Sequence, residues 1–235
     1  MSIRRFIGIA ALVSVPLVAV AAVTGTVLSG GQRWDIAVIV AAVLCCVPFF
    51  TAFERRAPRA RELVLVAVMV AFAAAGRLIF AAVPFFKPVT AVVVISALYF
   101  GGRAGFMVGA MSALISNIFF GQGAWTVFQM LAWGLIGFVA GILNKNGRLE
   151  KPAPLIIFGI LAGAFYSLVM DIWTVLSADG VLDLSRWLAA TAASLPVTAV
   201  YCASNVIFLL ALARPLGRRL SRLRDKYGVF QGNSE

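Results

Sequence analysis

Inside or beside the apolar stretches of this chain lie a few side chains able to do chemistry: Arg77, Lys87, Asn117, Gln122, Gln129, Asp171, Ser194 and Thr198. Ionisable and amide groups are costly among apolar neighbours in a membrane, so such residues mark a site by default. Trp125, Gln129 and Trp133 recur at i, i+4 and i+8, which puts them on one stripe of a helix. Tyr166, Met170 and Trp173 make a second stripe, and Ser194, Thr198, Tyr201 and Asn205 form a polar seam around Pro196. Amides and aromatic rings with few charges suit a small organic ligand that stacks and exchanges hydrogen bonds. Each feature also has a plainer use. Trp125 fits an interfacial anchor, the Tyr166 stripe fits core packing, and the hydroxyl seam fits helix–helix contact. Arg77 and Asp171 are each placed within two turns of the outer end of a span. There they can pair with one another, turn to a ligand, or serve as a snorkelling cation and a helix-end acid.

Catalysis finds little support. The 235 residues include no histidine, which removes Ser-His and Cys-His pairs, imidazole metal ligands and the HExxH helix. No GxxxxGK[ST] loop is present, so work against a gradient has to be driven from outside this chain. Cys45, Cys46 and Cys202 fall in apolar runs without metal or disulfide spacing and read as small core residues. No metal or cofactor site is indicated.

The elements that must position these residues follow from composition. With 62% hydrophobic and 12% charged residues, the chain has far more apolar surface than a soluble domain can bury. Eight spans are expected, at Phe6–Leu28, Ile36–Phe53, Leu63–Val83, Val89–Phe100, Phe106–Phe120, Trp125–Leu143, Leu155–Leu176 and Trp187–Ala213. Counting Lys and Arg on alternate sides places sixteen on one side, three (Arg33, Lys87 and Arg186) on the other, and Arg77 within a span. Both termini are therefore cytoplasmic. The net charge of +11 is topological and suits anionic lipid rather than nucleic acid, since no stacking aromatics accompany the basic loops.

The chain divides into a pair of spans at 1–53, a basic cytoplasmic connector at 54–62, a core of six spans at 63–213, and a basic cytoplasmic tail at 214–235. Most of the polar residues above, and an outward-opening pocket, belong to the outer half of the core. By its depth, Asn205 is expected near the inner end, outside that pocket. Small residues repeat every four positions at Ala67, Ala71 and Ala75, at Gly101, Gly105 and Gly109, and at Gly159 and Gly163. Such ridges let helices approach closely, within the protein for the glycines and, for the alanines, against an external helix as one alternative.

The blocks PFFKP at 84–88, GGRAGF at 101–106, SNIFFGQG at 116–123 and WTVFQMLAWGLIG at 125–137 carry a resemblance. From Leu63 to Ala213 the chain resembles the substrate-binding S components of energy-coupling factor (ECF) vitamin transporters, with similarity to a subgroup often assigned to cobalamin. The resemblance implies an all-α integral membrane protein with a six-helix core, here preceded by two extra transmembrane helices. It also implies a receptor that is not an enzyme, in a bacterial-type cell membrane. Its partners would be a vitamin or precursor such as cobalamin, a transmembrane T component, two cytosolic ABC-type ATPases and the bilayer.

The substrate residues expected on this reading are Arg77, Lys87, Asn117, Gln122, Trp125, Gln129, Trp133, Tyr166, Asp171, Ser194 and Thr198. The resemblance further implies that Ala67, Ala71 and Ala75 dock the T component and that the 84–88 loop gates the site. Two other classes stay in view: a membrane enzyme acting on lipid or prenyl substrates, and a ligand-free assembly subunit.

Overall fold

In a computed structural model, which describes residues 35–54 and 58–230, every regular element is helical. Helix α1 (Asp35–Glu54) precedes a six-helix array of α2 (Ala60–Ile79), α3 (Val89–Phe100), α4 (Gly102–Phe120), α5 (Trp125–Leu143), α6 (Pro152–Asp179) and α7 (Leu184–Tyr227). Five of these, α2 and α4 to α7, are long and apolar enough to cross a membrane. The chain is an all-α membrane protein. The second expected span appears as α1, packed on α4 and α5, where Phe49 stacks on Phe106 with centroids 4.1 Å apart. The first expected span, Phe6–Leu28, lies outside the described residues, as does the middle of the basic connector.

Helix α3 has 12 residues, nearly all buried. Its sequence is apolar on every side, which is the pattern of a helix enclosed by others. It packs against α2, α4, α5 and α7 and so forms the axis of the bundle. At 1.5 Å per residue it is only about 18 Å long. The 80–88 segment that leads into it is consequently drawn inward: Ser204, well down α7, donates to the Lys87 carbonyl at 3.0 Å.

Glycine sets the closest helix contacts. A Cβ on Gly105 would lie 2.7 Å from the Gly137 carbonyl oxygen, and one on Gly109 would collide with the backbone of Trp133. Between α6 and α7, a Cβ on Gly163 would come within 2.8 Å of the Cys202 nitrogen. Cys46 is buried and Cys202 half-buried; the Cys45 side chain lies outside what is described.

Several helices extend one to four residues past the expected limits, α4 for instance starting at Gly102 and not Phe106, and two C-terminal ends differ for reasons the contacts show. Helix α2 stops at Ile79 instead of continuing to Val83, because the 80–88 loop turns back and the Lys87 ammonium binds the carbonyls of Phe80, Ala81 and Val83. Helix α7 runs on past Ala213 to Tyr227, through Pro196 and Pro215. The first part of the basic tail is thus a continuation of the last span. Beyond it, Val229 and Phe230 are buried. The Phe230 ring stacks on Phe100 at 4.6 Å and its backbone nitrogen donates to Glu62 Oε1 at 2.7 Å.

Candidate substrate-binding site

The site is built from Arg77 outward. Near the end of α2, Arg77 Nη1 donates to Ser116 Oγ at 2.5 Å and to Asn117 Oδ1 at 2.7 Å, both on α4. The guanidinium also lies over the rings of Phe120 (4.5 Å) and Trp133 (5.3 Å). No carboxylate pairs with it among the described residues. The charge is instead spread over a hydroxyl, an amide and two aromatic faces, a setting that suits the planar guanidinium better than an ammonium.

From Asn117 the polar contacts continue across the bundle. Asn117 Nδ2 donates to Thr126 Oγ1 and to Gln129 Oε1, both at 2.8 Å, and Gln129 Nε2 donates to the Tyr166 hydroxyl at 3.0 Å. Four helices are tied by this chain, and Asn117, Gln129 and Tyr166 are all buried. Such a chain restricts the orientation of the side chains it joins. The indole of Trp133 stacks on the Tyr166 ring, with centroids 5.1 Å apart and planes 15° from parallel.

These groups wall a cavity of about 390 Å³. Arg77, Lys87, Gln129, Trp133 and Tyr166 line it, joined by Thr90, Phe120, Tyr201 and Asn205. Beside it lies a second chamber of about 430 Å³, into which Ser167, Asp171, Thr174 and Ser194 project. Phe85, Gln129, Tyr166 and Tyr201 belong to both walls. The Phe85 ring meets Tyr201 at 5.8 Å, and Tyr201 meets Tyr166 at 5.0 Å, both edge to face. Phe85 holds a positive φ of 59°, an unusual backbone state for a bulky residue. In that state its ring stands at the partition between the two chambers.

The other expected residues distribute around this pair of chambers. Asp171 does not pair with Arg77; its Oδ2 accepts from Ser194 Oγ at 2.8 Å in the second chamber. Lys87 lines the first, but its ammonium is engaged by loop carbonyls at the end of α2. Burial first, and the Arg77 charge second, pull that ammonium below its ordinary range. Asn117 stands behind the wall and positions Arg77 and Gln129.

Gln122 lies off the wall, exposed, donating to the Leu114 carbonyl and accepting from Thr126. Trp125 is also off the wall, against Trp173 at 6.2 Å. Thr198 donates to Ser167 Oγ at 2.7 Å, between α6 and α7. Asn205 reverses the expectation set by its depth, since the inward-drawn loop brings the first chamber down to it. Its Nδ2 donates to the Gly159 carbonyl at 3.1 Å. Tyr201 was legible in the polar seam, and Phe85 in the PFFKP block. Ser116 opens the SNIFFGQG block, whereas Thr90 offered no signal beyond being a hydroxyl in an apolar run.

On α2, Ala67, Ala71 and Ala75 are exposed on one face with Val64, Val68 and Phe72. Among the described residues no group of three or more His, Cys, Asp or Glu side chains is placed to hold a metal ion. Asp179 and Asp183 instead both bind Arg186, at 2.5 and 3.2 Å.

No curated protein and no solved structure gives a match to the chain. The family model described as the S component of the ECF-type riboflavin transporter matches residues 59–221, the stretch that holds both chambers and the six-helix array up to the last turns of α7. By that match, over more than half its length, the chain belongs to the family of S components of ECF-type riboflavin transporters.

Proposed function

We propose that this protein is the substrate receptor of an ECF importer and that its ligand is a vitamin of the riboflavin type. It takes the vitamin from the outer side of a bacterial cell membrane. Delivery inward then runs through a T component driven by two cytosolic ATPases. The observation that carries this reading is the stacked Trp133–Tyr166 pair at the wall of a 390 Å³ cavity, with Arg77 and Gln129 beside it. A planar heteroaromatic gains dispersion and quadrupole attraction from such faces. Its ring carbonyls and nitrogens find donors in Arg77, in Thr90 and in the Tyr166 hydroxyl, whose proton has no protein acceptor among the described residues.

The cavity also favours a flavin over the cobalamin suggested by the sequence blocks. A corrin macrocycle with its axial groups is bulky in three dimensions, whereas this chamber is bounded closely by helices that meet at glycines. Docking of the T component is supported by the exposed small-residue face of α2, against which another helix can lie closely. The purified protein, challenged with a panel of vitamins, should bind riboflavin with quenching of flavin fluorescence, and Trp133→Ala should lose most of that affinity. Tight binding of cobalamin without flavin binding would refute the assignment, as would a Trp133→Ala protein that binds flavin like wild type.

A further inference from the structure

Beyond Ala213, helix α7 runs on for about four turns to Tyr227, and this extension has two unlike sides. One side is built into the protein. Gly217 and Leu220 are buried, and a Cβ on Gly217 would strike the Tyr99 hydroxyl near the end of α3. The far end is fastened as well: the Gly228 carbonyl accepts from Arg59 Nη1 at 3.4 Å, and the Arg61 guanidinium lies over the Tyr227 ring at 5.3 Å. The other side is cationic. Arg214, Arg218, Arg219, Arg222 and Lys226 are exposed, and at about 100° per residue they fall within an arc of about 140°. Among the described residues no carboxylate pairs with Arg214, Arg218, Arg219 or Arg222. Asp225, the one acid of the extension, is bound to Arg224 at 3.4 Å.

We propose that this face is a binding site for anionic lipid headgroups, on the side of the membrane to which the loop charges assign the cytoplasm. The extension is continuous with an apolar span, so the bilayer sets its depth. Arg214 follows Ala213 directly, and Arg218 and Arg219 lie within about 9 Å of it along the helix axis. That is the depth of the headgroups, a zone about 5–8 Å thick on each side of the hydrocarbon. Arg222 stands within about one Debye length, roughly 8 Å, beyond it. Cations clustered just outside a span attract acidic lipid, and a guanidinium matches two phosphate oxygens at once. A zwitterionic lipid offers the same phosphate beside its own cation and gains less from the row. Because the extension is packed on Tyr99 and fastened at Gly228, its backbone is already ordered before lipid arrives, which a loose basic tail is not. The inference is independent of the flavin reading, since none of these residues lines either chamber.

The test is lipid binding by the purified full-length receptor in detergent, read by native mass spectrometry during titration with phosphatidylglycerol or phosphatidylcholine. Wild type should take phosphatidylglycerol at least about tenfold more tightly, and millimolar inorganic phosphate should not displace it. Arg218→Gln, Arg219→Gln and Arg222→Gln combined should remove most of that preference, at up to about fivefold for each cation lost. Lys145→Gln, Arg148→Gln and Lys151→Gln combined, exposed cations of the connection between α5 and α6, should leave it intact. Equal losses in the two variants would mean diffuse attraction in place of a site and overturn the proposal. Equal binding of the two lipids by wild type, or displacement by free phosphate, would overturn it too. If the Arg218 set melts below wild type without lipid, Arg218→Gln and Arg222→Gln are measured singly, and no loss of preference in either is decisive against it. Loss of a co-purifying T component with the lipid preference unchanged would also overturn it, and give the face to an acidic protein partner.

Discussion

Arg77 holds the site together through bonds that a sequence does not display. Its partners Ser116 and Asn117 lie on another helix, and its third and fourth neighbours are rings from α4 and α5. Truncation to Met would leave the buried Asn117 Oδ1 without its donor, at a cost of about 1–3 kcal/mol. Thermal unfolding in detergent should show the loss. Arg77→Lys should recover only part of it, because an ammonium cannot lie flat against two rings. Trp133 and Gln129 were legible because helical spacing put them on one stripe, and both line the first cavity. Trp125, on the same stripe by spacing, sits one turn too far out, and Gln122, in the break before α5, lies off the wall. Asn205 was excluded on depth counted from the ends of its helix, a count that takes no account of a loop folding inward.

Glycine spacing and the shortness of α3 govern the elements. The glycine repeats announced close helix contacts, and Gly105, Gly109 and Gly163 lie at them. At Gly109 the neighbour is the backbone of Trp133, so packing and binding are coupled at one position. Gly109→Leu should destabilise the protein by about 1–3 kcal/mol or more through overpacking. It should also weaken ligand binding by displacing the Trp133 ring, a combination that a binding titration and a melting curve on the same preparation can establish. The limits of Val89–Phe100 were plain from its apolar run, flanked by Pro88 and Gly101. The early end of α2 was not, since it depends on Lys87 reaching back to carbonyls several residues upstream.

Along α2 to α7, junctions carrying Arg59, Arg103 and Lys145 alternate with those near Lys87 and Arg186, the order expected of helices that run to and fro. That order was legible because charge placement responds to topology and not to packing detail. The return of the C-terminal segment onto Glu62 and Phe100 was not, because nothing in a basic tail predicts a buried Phe230. Phe230→Ala should lower the melting temperature, costing up to about 3 kcal/mol for the lost ring packing, while leaving ligand affinity unchanged.

The exposed alanine face carries a separate expectation. Ala71→Trp should abolish co-purification of a T component and spare ligand binding; unchanged co-purification would rule out that face as the dock.

On the proposed function, the chamber beside Trp133 holds a flavin. Its most direct test is the mass and absorption spectrum of the small molecule released when receptor, purified from cells supplied with riboflavin, is denatured. An isoalloxazine is expected in near-stoichiometric amount, absent from Trp133→Ala protein prepared in the same way. Release of a corrinoid, or of no flavin at all from well-folded receptor, would contradict it.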